Sequence, residues 1–342
     1  MKKNLIKSLT TLLIATVAIS TAVILPKRDV DAATENELIR TVCNIAKWEE
    51  RYSTNGDYGN KYGAWINKYY PDLYWGDKTK VAWCDVFVDW CMIQAFGYEN
   101  ACKITNQGKG YDGKRDNRGG AKTYYKYDSS NDHNSEAYYK QMGRLLYPKD
   151  TSPRKGDQVF FTYEHTGLIV GSKLDGRGNI VYSVAEGNTG KQVKINEYTG
   201  TGSFRSFGRP NYASLQNKNI TLTTAERHFV NRVYYWGLDR KPDASGLNYW
   251  VNNLSAKKIT AADVVKGIIG SQEFTNQNVS KDAAVNRLYR AVLNREPDQG
   301  GKNYWVSVYN PGNRLPTVRG FVNNGEFSGI CKEVLGITPG SL

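Results

Sequence analysis

Cys84 heads a run in which Cys84, Phe87, Val88, Cys91, Met92 and Ala95 recur at i, i+3, i+4, i+7, i+8 and i+11, the spacing of one helix face. A thiol in the first turn of a helix meets backbone N–H groups without partners and the positive end of the helix dipole, and both favour an anion. A thiolate is stabilised there, more so beside an imidazolium, and the same N–H groups can hold the oxyanion formed when sulfur attacks a carbonyl. Taken alone, the stripe fits better a cysteine that merely tops a buried face. A base is what separates the two.

The chain has three histidines. His133 lies in a polar stretch, Asn131-Asp132-His133-Asn134, with no element to hold it. His228 falls in a helical segment near the C-terminus, where an exposed histidine is ordinary. His165 directly precedes the β-favouring run Thr166-Gly167-Leu168-Ile169-Val170, so a rigid element would carry it. Further on, Tyr182, Val184, Glu186 and Asn188 alternate, and Glu186 and Asn188 share a face if the extended conformation persists. Either would fix the tautomer of His165 and stabilise its imidazolium. Gly187 and Gly190 mark the exit from that strand, where a polar pair also suits a turn.

These groups must be positioned by helices and strands in succession. Glu35 to Trp48 has a helical period, with Leu38, Ile39, Val42 and Ile45 on one side. Val159-Phe160-Phe161, Leu168-Ile169-Val170 and Ile180-Val181-Tyr182 are strand-like, with a tight turn at Asp175–Asn179. Gln192–Tyr198 and Phe204–Tyr212 offer two more strands, while the polar stretch 112–137 has the composition of a long exposed loop. Helices followed by hairpin-linked strands predict an α+β fold with an antiparallel sheet.

Beyond residue 212 the pattern turns helical. Ala213 to Asn219 is polar and patternless, which places a linker over residues 213–224, and Thr223-Thr224-Ala225-Glu226 has the form of a capping box opening a helix. Arg240-Lys241-Pro242-Asp243 leads into Tyr249-Trp250, and 55 residues later Arg295-Glu296-Pro297-Asp298 leads into Tyr304-Trp305. Each unit closes on Glu-Phe, at Glu273-Phe274 and Glu326-Phe327, so residues 225–342 form an all-α pair of repeats. Adjacent helical residues cannot face the same way, so one aromatic of each Tyr-Trp pair belongs to the core. The region resembles a domain of unknown function common on secreted and surface bacterial proteins, itself similar to phycobilisome linker domains. That resemblance implies a recurring accessory module, with wall or surface attachment and a purely structural role both open.

Trp83-Cys84-Asp85-x-Phe87-Val88-x-Trp90, Gly156-Asp157-Gln158-Val159-Phe160-Phe161, His165-Thr166-Gly167-Leu168-Ile169-Val170, Glu186-Gly187-Asn188-Thr189 and Gly208-Arg209-Pro210-Asn211-Tyr212 occur in that order. Together they resemble the CHAP family, the cysteine- and histidine-dependent amidohydrolases and peptidases of bacterial and phage cell-wall lysis. The resemblance spans about residues 60–212. It implies a papain-like domain over residues 33–212, with Cys84 as nucleophile, His165 as base, and Glu186 and Asn188 at the remaining active-site positions. The implied reaction is hydrolysis of an amide bond in peptidoglycan, as an N-acetylmuramoyl-L-alanine amidase or a peptide endopeptidase. Tyr74, Trp75 and Trp83 would line a substrate groove, or else serve as core aromatics. Some members bind calcium through closely spaced acidic residues ahead of the cysteine; here only Asp72 and Asp77 lie there, without that spacing, so no metal and no other cofactor is expected. Two alternatives share these residues: a surface protein that grips wall peptides without turnover, and a secreted cysteine protease acting on proteins.

The N-terminus and the charge bear on where this chemistry takes place. Lys2, Lys3 and Lys7 precede an apolar run from Leu12 to Leu25, and Val30-Asp31-Ala32 supplies small residues for cleavage, so residues 1–32 have the form of a secretory signal, with an uncleaved anchor as the alternative. The full chain carries +13; its first 32 residues hold five basic and two acidic groups, so the remainder keeps +10. An exported basic protein is drawn to anionic wall polymers, and no nucleic-acid-binding motif accompanies the charge. Five cysteines are too few for a disulfide scaffold and odd in number; with Cys84 free, Cys43, Cys91, Cys102 and Cys331 allow three pairings.

Overall fold

In the computed structural model, residues 33–55, 60–71, 73, 79, 82–105, 135–216 and 218–342 are described. Residues 1–32, expected to be a secretory signal, and Asp72, Tyr74, Trp75, Asp77 and His133 therefore lie outside the described residues, as does most of the polar stretch 112–137. Ser135–Gln141, the end of that stretch and the residues after it, is a short helix rather than loop.

Six strands form one antiparallel sheet: β1 (Leu145–Leu146), β2 (Gln158–Phe161), β3 (Thr166–Leu174), β4 (Ile180–Glu186), β5 (Lys194–Thr199) and β6 (Phe204–Gly208), in spatial order β1-β6-β2-β3-β4-β5. The two-residue β1 escaped the sequence because it is too short to show a period. Alternation sends Leu168, Val170 and Ala185 to one face of the sheet and Ile169, Tyr182 and Val184 to the other. The first face is covered by helices α1 (Glu35–Trp48) and α3 (Cys84–Phe96), with α2 (Lys61–Tyr69), α4 (Tyr98–Thr105) and α5 (Ser135–Gln141) around them. The bounds of α1 are those expected. Thr34 and Glu37 form a reciprocal capping box at its start, and Leu38, Ile39, Val42 and Ile45 are all buried.

α3 departs from expectation. Nearly every side chain after Cys84 is buried, Asp85, Val86, Asp89 and Trp90 as well as the stripe, because the helix runs through the centre of the layer. Its close seat on the sheet depends on Gly187: a Cβ there would fall 2.6 Å from the Phe87 Cβ and 2.9 Å from the Trp83 carbonyl oxygen. All five cysteines are free thiols, so none of the disulfide pairings forms.

The helical half repeats a single plan. Helices α6 (Ala225–Gly237) and α7 (Ala244–Ser255) with α8 (Ala261–Ile269) and α9 (Gln272–Asn276) make the first unit; α10 (Lys281–Val292), α11 (Gln299–Val308), α12 (Leu315–Val322) and α13 (Gly325–Gly329) make the second. Asp243 and Asp298 cap α7 and α11, accepting from Gly246 and Gly301 at 2.8 Å. The arginine of each Arg-x-Pro-Asp turn forks onto the glutamate of the closing Glu-Phe: Arg240 onto Glu273, and Arg295 onto Glu326 at 2.6 and 3.1 Å. Trp250 and Trp305 pack over Gly267 and Gly320, while Tyr249 and Tyr304 stay exposed, which settles the inside member of each pair. The α6 cap is Thr224, accepting from Arg227 N–H; Thr223 instead donates to the Gln94 carbonyl, so the expected capping box does not form.

The two halves are not loosely strung. The stretch expected to link them holds a 3-10 turn, Tyr212–Leu215, with Leu215 and Ile220 buried in the first core. Trp48 and Trp236 pack against both cores. Between the halves lies a buried polar cluster. Glu49 accepts from the Tyr62 hydroxyl at 2.8 Å, pairs with Lys61, and meets His228 Nε2 at 2.8 Å. His228 is thus buried, not exposed as its helical setting implied, because α6 turns it toward α1. Burial works against the Glu49 charge, yet Lys61 and His228 outweigh it and hold the carboxyl well below its usual range.

Candidate active site

Three element ends converge on one point: the start of α3, the turn before β3 and the end of β4. Cys84 is the first residue of α3 and is half-buried. No side chain caps this helix at Trp83, so its first-turn N–H groups have no competing side-chain acceptor from the cap. His165 closes the turn between β2 and β3, where its carbonyl accepts from Phe161 N–H at 3.1 Å. Glu186 is the last residue of β4, and its side chain is 1% exposed.

His165 joins the other two. Its Nε2 lies 2.9 Å from Glu186 Oε2, and the Cys84 thiol is near enough to act on the ring; with Nε2 on the carboxylate, Nδ1 is the nitrogen left to face sulfur. Burial alone would lower the pKa of the ring, but the bonds to Cys84 and Glu186 outweigh it and raise it to about 9. The remaining Glu186 oxygen accepts from Tyr198 OH at 2.8 Å and Asn196 Nδ2 at 3.1 Å. Burial opposes the Glu186 charge, yet the bonds from His165, Tyr198 and Asn196 prevail and keep the carboxyl below its ordinary range. Burial and this carboxylate push Tyr198 upward, so it remains a donor.

Asn188 is not among the partners of His165. β4 ends at Glu186, and Asn188 adopts a left-handed φ of 62°, so the two do not share a strand face as alternation suggested. Its Oδ1 is buried without a partner among the described residues. Thr189 takes the place beside the ring: its hydroxyl lies 3.2 Å from His165 Nε2 and donates to Glu186 Oε2 at 3.2 Å. Tyr163, 52% exposed, stacks on the imidazole with ring planes 12° apart. Sequence reasoning missed Thr189, Asn196, Tyr198 and Tyr163. Asn196 and Tyr198 alternate on β5 opposite Val184 and Tyr182, a two-residue period that points both toward the Glu186 side.

Trp83 does not line a groove. It is fully buried, edge-on to Tyr52 and tilted against Tyr62. Asp85 lies just below the site, accepting from Ser135 and, at 2.6 Å, from Gln158; burial raises its carboxyl to about 6. Burial pushes the Cys43, Cys102 and Cys331 thiols up to about 12 and Cys91 well above its ordinary value, which makes them poor nucleophiles. Among the described residues, no three His, Cys, Asp or Glu side chains group as metal ligands, and no helix is long and apolar enough to cross a membrane.

No curated protein and no solved structure matches the chain. Residues 213–278 and 268–331 each match a family described as a domain of unknown function, DUF4214. The two matches follow the internal repeat and lie wholly outside Cys84, His165 and Glu186, so the helical half is similar to that family in duplicate.

Proposed function

We propose that this chain is an exported, thiol-dependent hydrolase of the CHAP type that cleaves amide bonds in peptidoglycan. The observation that carries the proposal is the imidazole of His165, bonded at 2.9 Å to the buried Glu186 carboxylate and raised in pKa by the neighbouring Cys84 thiol. With its pKa raised, the ring carries a proton at neutral pH, and an imidazolium beside sulfur favours the nucleophilic thiolate. The thiolate attacks the amide carbon, and first-turn N–H groups of α3 receive the oxyanion. As the C–N bond breaks, His165 gives its proton to the leaving amine. The neutral ring then accepts a proton from the water that hydrolyses the thioester, restoring thiol and carboxylic product. Glu186 holds Nε2 protonated and turns Nδ1 toward sulfur throughout.

The substrate class rests on the ordered motifs of the resemblance, on the signal-like N-terminus and on the +10 charge of the remaining chain, which suits anionic wall polymers. Asn188, which is not among the hydrogen-bond partners of His165, is not the orienter in this mechanism; that role falls to Glu186. Purified wall incubated with the protein should lose turbidity, and Cys84→Ala should abolish the loss while retaining the fold by circular dichroism. Mass spectrometry of the released muropeptides identifies the bond. Undiminished lysis by Cys84→Ala removes the nucleophile assignment, and digestion of casein but not wall moves the substrate to proteins.

A further inference from the structure

The helical repeats touch the catalytic half next to the segment that supports the active-site loop. Glu296 N–H donates to the Ser53 carbonyl at 3.0 Å, and Asn55 Nδ2 donates to the Pro297 carbonyl at 2.8 Å. Asn294, just ahead in the same turn, accepts from Lys61 Nζ, while Lys61 N–H donates to Tyr52 OH at 2.7 Å. The segment so held, Arg51–Thr54, pairs with the loop after Glu186. Arg51 N–H reaches the Val193 carbonyl at 3.3 Å, Val193 N–H the Tyr52 carbonyl at 2.9 Å, and Thr54 N–H the Lys191 carbonyl at 2.9 Å. Thr189 N–H closes the loop onto the Gln192 carbonyl at 3.0 Å, which sets the hydroxyl of Thr189 between His165 and Glu186.

The same segments are conformationally costly. Arg51, Asn188 and Lys191 all have left-handed φ, at 77°, 62° and 65°, and none is glycine. Such residues persist where neighbouring structure over-determines them. Here the neighbouring structure is the turn Asn294–Asp298 on one side and the sheet on the other.

We propose that the helical repeats are a positioning element for the acid–base pair: the Asn294–Asp298 turn fixes Arg51–Asn55, these fix residues 189–193, and Thr189 thereby holds His165 on Glu186. Thr189 is the terminal positioning residue of this route. The route is a contiguous set of hydrogen bonds, so its members should be energetically coupled. This rests on the Cys84–His165 reading of the site but not on the identity of the substrate.

The test uses the full chain and alkylation of Cys84 by iodoacetamide, read by peptide mapping, since the other four thiols are buried or pushed far up. Asn294 has φ 50°, so Asn294→Gly keeps the backbone and deletes only the side chain that meets Lys61. Thr189→Val and Asn294→Gly should each slow alkylation at neutral pH by about threefold or more, Thr189→Ser should recover most of the rate, and the double variant should lose less than the product of the two. Hydrogen exchange of Asn294→Gly should quicken at Arg51, Thr54 and Val193 while α3 and α10 keep their protection, which separates repositioning from general destabilisation. A folded Asn294→Gly with the parent rate, or losses that multiply in the double variant, overturns the route. Wall lysis by Cys84→Ala would instead sink the enzymatic reading and leave these comparisons standing.

Discussion

His228 Nε2, in the first helix of the repeats, lies 2.8 Å from Glu49 Oε1 at the end of α1, with both side chains almost wholly buried. Glu49 also takes Lys61, so one carboxylate holds two basic groups from opposite sides of the junction. Removing it leaves a buried ammonium without its partner. Glu49→Ala should therefore cost about 3–5 kcal/mol, the range for breaking one side of a buried pair. Because Trp48 and Trp236 belong to both cores, the halves should unfold together. Urea titration followed by hydrogen exchange at β3 and at α10 should give coincident midpoints; two separated transitions would show independent units.

The raised pKa of His165 sets a pH window. Its folded-state pKa, about 9, lies above the ordinary 6.5, so the folded chain binds this proton more tightly than the unfolded one. The stability it adds is complete below pH 6.5 and is lost as pH rises toward about 9. Amide hydrolysis that needs the imidazolium as acid should fall along the same alkaline limb. Proton NMR of the His165 ring should titrate near that value in the parent and lower in Cys84→Ala, which removes one of the bonds that raise it. A midpoint near 6.5 in both proteins would count against the pairing with sulfur.

In the proposed mechanism Glu186 acts through orientation. Glu186→Gln keeps the shape but lets an amide face Nε2, which favours the wrong tautomer; kcat should fall about 10²–10⁴-fold with KM little changed. Tyr198→Phe deletes one bond to this carboxylate, at 2.8 Å, and should cost about 1.5–3 kcal/mol of stability, the range for a hydrogen bond to a charged group. Steady-state kinetics and thermal melts of the two variants check these in turn. A KM effect without a kcat effect in Glu186→Gln would place Glu186 on the substrate.

Gly187 governs how near α3 comes to the sheet. A methyl group there meets the Phe87 Cβ at 2.6 Å and the Trp83 carbonyl oxygen at 2.9 Å, and neither atom can swing aside by a rotamer change. Gly187→Ala should destabilise by about 1–3 kcal/mol through overpacking, and should weaken the Cys84–His165 contact by displacing the helix. Melting temperature and Cys84 alkylation rate should both drop. An unchanged alkylation rate in a destabilised variant would show that the helix start does not move with its middle.

The sequence by itself determined what is local. The capping pair Thr34 and Glu37, the apolar period to Trp48, the alternation of β3 and β4, and the duplicated Arg-x-Pro-Asp turns all act within a few residues, so their outcome is written where they stand. The order of motifs also singled out Cys84 and His165, together with Glu186 and Asn188 without choosing between them. Tertiary structure alone decided what those residues meet. A period shows that a face is buried but not against which partner. Nothing near His228 announces Glu49, 179 residues away, and nothing near Thr189 announces that a left-handed Asn188 would turn it, instead of its neighbour, onto the imidazole. Trp83 and the interior of α3 make the same point: whether an aromatic or a helix is rim or core depends on the layers on every side of it, and those come from distant parts of the chain.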